Sequence, residues 1–504
     1  MRNNHYGRPS YTMVGMVNPQ TRRTFLQASA LGLAATQGAG AATNPLIVRA
    51  MEGVRAAIPT AENDPMRPVY HFHAPAQWIN DPNGTIQYRG WYHMFYQHNP
   101  YGSKWGNMHW GHARSRDLVN WEHLPIAIAP SKEKGEEHVF SGCACLGPDG
   151  RPVVFYTSIG EGNKRDPEQW MAVPKDDDLI TWDKHPANPI LTTKLHKQPV
   201  NEWRDPFVFR DGGKTYMVCG GNRDMRGGHG EVQLYEAKNR ELTKWEHRGA
   251  MLRDPDRTVW NIECPNFFKL DGKWVLLTSP HRSCEYFVGD FEASTPLFTP
   301  RRWGVLDPGA AYASNMIFDD KGRSILLLWS NTQTAEEKGW CGAMAIPRLL
   351  RIGEDGHLKQ APLPELTALR GNEIAVKNAA LQGTPVALGL ETDTFEMEVT
   401  LEAKDAKAVG LTVSGTDVVF DARTGYVAVG GKQIFAARDK SVSLRVFLDK
   451  RMLEVFAAGT VMVHLMEPGA PGVQAFAREG AGLLRAGKAW PMKPATFSMT
   501  GYQV

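Results

Sequence analysis

Asp117-Leu118-Val119-Asn120-Trp121, Asp178-Leu179-Ile180-Thr181-Trp182 and Glu241-Leu242-Thr243-Lys244-Trp245 repeat one pattern, acid-Leu-x-x-Trp, at separations of 61 and 63 residues. Each copy follows an apolar, strand-like stretch and a polar turn. A repeat of this period, with strand composition and few helical runs, means four-stranded sheets arranged radially. Dividing the chain from Val69 to Leu350 by that period gives roughly four and a half units, so five blades are expected, closed between first and last. The fold class read from the chain is all-β: a five-bladed β-propeller over 66–350, a linker over 351–373 and a C-terminal β-sandwich over 374–504.

The linker rests on Leu358-Lys359-Gln360-Ala361-Pro362-Leu363-Pro364-Glu365-Leu366, which is proline-rich and weakly periodic. Beyond it, alternation returns in Thr394–Leu401, Leu444–Leu448 and Leu453–Phe456, with glycine-rich turns between. Short, regularly spaced strands without a helical stretch read as a sandwich. A brace against the propeller is its expected role.

With 504 residues, 22% charged and 42% hydrophobic, the chain is long enough for two or more domains. A net charge of +3 favours neither nucleic acid nor an anionic membrane, so an uncharged substrate fits better than an acidic polymer. No apolar run past the leader is long enough to span a bilayer. The six cysteines lack metal-ligand spacing and read as buried thiols, with no disulfide predicted. His71-x-His73 and His109-x-x-His112 are the metal-like pairs, but neither has the partners a site needs, and no metal or cofactor is expected.

At the amino terminus, Thr21-Arg22-Arg23-Thr24-Phe25-Leu26-Gln27, the apolar stretch Ala28 to Ala35 and then Ala39-Gly40-Ala41-Ala42 resemble a twin-arginine export signal, here assigned to residues 1–43. An exported protein, periplasmic or extracellular, is expected.

Trp78-Ile79-Asn80-Asp81-Pro82-Asn83-Gly84 presents one carboxylate in a rigid turn flanked by aromatic strand sequence. Pro82 fixes its own φ and steers Asp81 away from helix, Asn83-Gly84 signals a hairpin, and strand composition resumes through Trp91–Gln97. A carboxylate held this way loses little freedom on meeting a substrate. Alone, the triplet would be an ordinary Asx-turn, as Asn63-Asp64-Pro65 is.

The context adds a resemblance. His71 to Pro125 is similar to glycoside hydrolase family 32, the invertases, levanases, inulinases and related fructosidases. Beyond the Asp81 motif, it carries Phe95-Tyr96-Gln97-His98-Asn99-Pro100, Trp105-Gly106-Asn107-Met108-His109-Trp110-Gly111-His112 and Asp117-Leu118-Val119-Asn120-Trp121-Glu122-His123-Leu124-Pro125 in the family's order. The resemblance implies the same propeller and sandwich, a sugar substrate such as sucrose, levan or inulin, and no metal.

Cleaving a ketosidic bond with retention needs two carboxyl groups roughly 5 Å apart, one to attack the anomeric carbon and one to protonate the departing oxygen. By resemblance Asp81 is the nucleophile, and Glu263, in Trp260-Asn261-Ile262-Glu263-Cys264-Pro265-Asn266, is the acid/base. Asp205 in Trp203-Arg204-Asp205-Pro206-Phe207 is the transition-state stabiliser; Arg-Asp-Pro also occurs at Arg165 and Arg253, but only the Arg204 copy leads into an apolar strand. Arg204 is expected to hold Asp205 or Glu263. Asn80, Gln97, Trp105, Phe140, Ser141, Tyr312 and Trp340 are expected to contact the terminal fructosyl unit, rings as walls and amides on hydroxyls. The roles require Asp81 to be ionised and Glu263 protonated, and hence a bell-shaped pH profile.

The chain departs from the family pattern in having Ile262 for an aromatic and Asn266 for a carboxylate. The neutral amide is expected to lower the Glu263 pKa and move the pH optimum toward acid. Tyr312-Ala313-Ser314-Asn315 and Trp329-Ser330-Asn331 are looser matches. The reading is an exported β-fructosidase. A fructosyltransferase or levan fructotransferase would use the same acids, and a fructan-binding protein without turnover is the alternative from another class.

Overall fold

The inner strand of each blade carries residues that line the axial cleft. The computed structural model describes residues 44–163, 165–224 and 228–502, and the proposed export signal lies outside them. Five antiparallel four-stranded meanders follow one another. Blade I is Gln77–Tyr88, Trp91–Asn99, His109–Ser115 and Trp121–Ile128; blade II is Glu136–Leu146, Pro152–Gly160, Glu168–Pro174 and Trp182–Lys184. Blade III is Asn201–Asp211, Lys214–Asn222, Gly230–Ala237 and Trp245–Arg253; blade IV is Glu263–Leu270, Lys273–Ser279, Cys284–Glu292 and Leu297–Asp307. Blade V is Ala311–Phe318, Ser324–Ser330, Arg348–Ile352 and Leu358–Pro362. The ring closes where Trp340–Cys341 pairs in parallel with the inner strand of blade I.

The acid-Leu-x-x-Trp repeat marks the turn into the fourth strand of blades I, II and III, each of which starts at the repeat's tryptophan. Leu118, Leu179 and Leu242 are all buried with left-handed φ of 62°, 59° and 58°. A polar side chain six residues before each tryptophan, Ser115, Asp176 or Asn239, accepts backbone N–H groups of the turn. In blades II and III the indole N–H donates back to the leucine carbonyl at 2.7 and 2.8 Å. The repeat is therefore a capped, apolar-anchored turn, legible because its chemistry is local.

The sandwich packs two sheets. One orders Ile374–Val376, Gly487–Pro491, Thr394–Glu402, Ser441–Asp449, Met452–Ala457 and Thr460–Leu465; the other orders Val386–Ala387, Val473–Arg478, Ala408–Val413, Thr416–Asp421, Tyr426–Val429 and Lys432–Phe435. Alternate residues such as Phe395, Met397, Val399 and Leu401 fill the core between them.

Four expectations need correction. The linker placed over 351–373 overlaps the propeller, because Leu358–Pro362 pairs with Arg348–Ile352 as the outer strand of blade V, where a proline at the end of an edge strand costs no ladder bond. Asn83-Gly84 is no hairpin: the strand runs through it, Gly84 at φ 52° leaving no room for a Cβ against Phe95 and Trp110. The turn falls at Arg89-Gly90, because pairing continues from Ile86 with His93 to Tyr88 with Trp91. The end of the segment assigned to the sandwich leaves it, since Phe497–Met499 pairs in parallel with Trp121–Ile128 of blade I. Finally, an unforeseen helix spans Pro45–Glu62, capped by Asn44, whose side chain accepts from Leu46 N at 2.9 Å, and opened by Pro45. Its buried face, Ala50, Met51, Val54 and Ala61, packs with Trp340 and Ile126 beside the ring closure. No described helix is long and apolar enough to cross a membrane.

Candidate active site

Each inner strand slips out of register with its neighbour, and the polar residues of interest sit at one such slip in each blade. The slips fall between Ile79 and Pro82, Val139 and Gly142, Glu263 and Asn266, and Tyr312 and Ser314, and in blade III between the pairs made by Arg204 and Phe207. A bulge adds twist and re-aims a side chain. Asp205, Cys264 and Ala313 take left-handed φ of 62°, 46° and 51° at these points. Pro265 lies within such a bulge. Buried amides stitch the strands together around the axis: Asn83 accepts from Gly142 N, Asn315 donates to Gly142 O, and Asn266 donates to Ser314 O.

Every expected catalytic or substrate-contacting residue except Trp340 lines one cleft of about 990 Å³ at the propeller axis. Trp340 is buried elsewhere, its indole N–H on Asp64 Oδ2 at 2.9 Å, where it pins the end of the helix to the ring closure. Trp78 and Trp329, their rings 5.7 Å apart, stand in the cleft wall instead. The segment from Thr193 to Asn201 forms a further wall that the motifs did not reveal. Arg165-Asp166-Pro167, set aside as a chance copy, lies on this rim as well.

Asp81 is fixed from two sides. Trp78 donates to Asn80 Oδ1 (2.7 Å), which turns the Asn80 amide N–H onto Asp81 Oδ1 (3.0 Å), while Ser141 donates to Oδ2 (2.5 Å). The Cys264 thiol approaches the same oxygen at 3.5 Å. Asp205 Oδ2 accepts the Cys264 backbone N–H at 2.8 Å. Arg204 donates from Nε (3.2 Å) and Nη2 (2.6 Å) to Glu263 Oε1, and the Tyr312 hydroxyl donates to Oε2 at 2.7 Å. His281 Nε2 stands 3.6 Å from the same oxygen. Gln97 donates to Val139 O, and Trp105, half exposed at the mouth, meets the Phe140 ring edge-on at 6.0 Å.

These contacts order the three carboxyl groups. Burial raises Asp81, outweighing its hydrogen bonds from Ser141 and Asn80. Burial, against Arg204 but helped by the charges of Glu263 and Asp81, lifts Asp205 to about 7. Burial also acts to raise Glu263, but Arg204, His281 and Tyr312 prevail and hold it below its ordinary value. These directions run opposite to the order the roles require, because the guanidinium pairs with Glu263. Asn266 takes no direct part: its amide is spent on Cys264 O (3.0 Å) and Ser314 O (2.9 Å). An aspartate there would face two carbonyls, so an Asn266→Asp change tests blade packing and not only pH.

The thiols are all free; Cys143, Cys219, Cys264, Cys284 and Cys341 are buried. Among the described residues no group of His, Cys, Asp and Glu is arranged to hold a metal ion. His71 instead lies between Asp449 and Glu454 at the sandwich, and His112 faces His93.

A propeller whose inner strands bring three carboxyl groups and one guanidinium into a cleft walled by indoles defines a glycoside hydrolase. The chain belongs to glycoside hydrolase family 32: residues 71–362 match the Glycosyl hydrolases family 32 N-terminal domain, and 365–491 the Glycosyl hydrolases family 32 C terminal domain. It is 34% identical over 400 residues to the beta-fructofuranosidase, insoluble isoenzyme 1, of Oryza sativa subsp. indica, covering 72% of this chain and 68% of that one. It is 30% identical over 432 residues to the sucrose-6-phosphate hydrolase of Zymomonas mobilis, covering 77% and 83%. The fructan 1-exohydrolase IIa of Cichorium intybus superposes with a TM-score of 0.77 at 26% identity, over 87% of this chain and 99% of that one.

Proposed function

We propose that the protein is an exported β-fructosidase that removes terminal β-fructofuranosyl units from sucrose or fructans with retention. The observation that carries this reading is the convergence of Asp81, Asp205 and Glu263 from three blades onto one cleft. Asp81 attacks the anomeric carbon, Glu263 gives its proton to the departing oxygen, and the sugar is held as an ester on Asp81. Glu263, now ionised, takes a proton from water, which attacks the ester and frees fructose and Asp81. Asp205 accepts hydrogen bonds from ring hydroxyls that strengthen as positive charge develops on the sugar.

Substrate has to move the proton of the cluster before this cycle starts. Hydroxyl groups donating to Asp205 and Asp81 favour their ionised forms, and the proton they release passes to Glu263. The sugar thereby arms its own acid. Relatives named beta-fructofuranosidase and fructan 6-exohydrolase support the substrate class, and the cell-wall isozymes among them support an extracellular site of action. The Arg22-Arg23 leader supports export by the twin-arginine route, which disfavours a phosphorylated intracellular substrate.

The test is product analysis on sucrose, levan, inulin and sucrose-6-phosphate with an Asp81→Asn control. Free fructose, absent with the variant, is expected. Transferred oligosaccharides or difructose anhydrides would reassign the enzyme to fructosyl transfer, and no product from any substrate would favour a binding protein.

A further inference from the structure

We propose that Thr157, with Gln169 behind it, is the positioning residue for Asp205, a role that rests on the reading of Asp205 as the stabilising carboxylate. Asp205 has a left-handed φ of 62°, a conformation that residues with a Cβ avoid unless their surroundings enforce it. The strand slips here, with Gly220 paired to Arg204 and Val218 to Phe207, so the Asp205 N–H looks outside its own blade for an acceptor. It donates to Thr157 Oγ1, 2.9 Å away on the second strand of blade II.

A threonine hydroxyl has one proton to give, and Thr157 gives it to Gln169 Oε1 at 2.7 Å. Gln169 lies directly opposite Thr157 on the neighbouring strand, and both side chains are fully buried. With that proton committed, the oxygen's lone pair is left for Asp205. The ladder to the Gln169 strand and a β-branched rotamer hold the hydroxyl in place. On the far side, the Asp205 carboxylate accepts the Cys264 N–H from blade IV at 2.8 Å. Asp205 is thus clamped by its backbone to blade II and by its carboxylate to blade IV, while neither Thr157 nor Gln169 lines the cleft. A small rotation of the Asp205 backbone would swing the carboxylate off the sugar hydroxyls, and misplacement of that size costs rate more than affinity.

The experiment measures kcat and KM on sucrose or levan for Thr157→Val, Thr157→Ser, Gln169→Leu and Asp205→Asn, with thermal midpoints as controls. Valine keeps the shape and sets a methyl against the buried N–H. Its kcat is expected to fall about 30-fold with KM within about threefold, serine to restore kcat to within about threefold, and Gln169→Leu to lose about fivefold. Full kcat in Thr157→Val, a loss confined to KM, or serine no better than valine overturns the proposal. If Thr157→Val fails to fold, Gln169→Leu decides: a fall in kcat at unchanged KM supports the clamp, and wild-type kcat overturns it. An active Asp205→Asn would remove the stabiliser reading itself, whereas an inactive Asp205→Asn beside a fully active Thr157→Val overturns the positioning role alone.

Discussion

At the propeller axis three carboxyl groups, Asp81, Asp205 and Glu263, face one guanidinium, Arg204; where propeller meets sandwich, three carboxyl groups, Asp307, Asp449 and Glu454, face two cations, Arg348 and His71. The second cluster is sealed. Arg348 bridges Asp307 (2.9 Å) and Glu454 (3.2 Å), His71 bridges Asp449 (2.9 Å) and Glu454 (3.2 Å), and none of these side chains is exposed. Asp449 also accepts the backbone N–H groups of Val69, Tyr70 and His71, so the sandwich grips the entry to blade I through one carboxylate. Burial alone would discharge His71, but hydrogen bonds to Asp449 and Glu454 lift it to about 9. In the axial cluster the counterpart of His71 is His281, 3.6 Å from Glu263 and kept below its ordinary pKa by burial, and the cluster opens to a cleft, so its carboxyl groups are less fully neutralised. Three carboxyl groups sealed against two cations make a joint, and a larger deficit of positive charge, open to a cleft, makes a site that a neutral sugar can re-tune.

Breaking each cluster should have different consequences. Asp81→Asn, which nearly preserves shape, should lower kcat on the order of 10⁵-fold while sugar affinity and the thermal midpoint stay near wild type, as read by steady-state kinetics and calorimetry. Arg348→Met leaves Asp307 and Glu454 buried without their shared partner. It should cost about 4 kcal/mol of stability in denaturant titrations, with KM of the folded fraction unchanged.

The two clusters should also answer pH differently. The Asp205 pKa is raised in the fold, so the folded state binds the extra proton and stability falls as pH rises from about 4 through about 7. That shift sets a ceiling of about 4 kcal/mol; Asp205→Asn, which removes it but strips Arg204 of a partner, should gain about 2 kcal/mol at pH 8 while abolishing turnover. His71 has the same sense in a higher window: its contribution is complete below its unfolded pKa near 6.5 and is lost as pH climbs through about 9. Tyr312→Phe gives the smallest effect. Loss of the donor on Glu263 Oε2 raises the acid's pKa, so the alkaline limb of kcat/KM should move to higher pH, with kcat down about tenfold.

The same contrast explains what could be read in the chain. The repeat turns and the three acids were legible because each is written within about ten consecutive residues: a cap, a buried leucine and a tryptophan, or an acid one or two residues before a proline in a motif that resembles the family's. His71 with Asp449 and Glu454, 378 and 383 residues away, was not, because only the folded chain brings them together. Thr157 and Gln169 were invisible for the same reason. Trp340 was misplaced into the cleft because an indole near the ring closure fits a core as well as a wall, and Trp329, in a segment already noted as a loose match, stands in the cleft instead. Asn83-Gly84 misled because a local turn signal was outweighed by pairing on both sides. The Pro45–Glu62 helix buries Ala50, Met51, Val54 and Ala61, but it sits just behind the proposed export signal, where no fold element is expected.

The measurement that bears most directly on the division of labour at the axis is covalent trapping. Glu263→Gln can still form an ester when the leaving group needs no proton, but it cannot activate water to hydrolyse it. Incubated with fructosyl fluoride and digested, this variant should carry one fructosyl unit on the peptide containing Asp81. A label on any other peptide, or rapid turnover with no label at all, would contradict the assignment of Asp81 as nucleophile and Glu263 as acid/base.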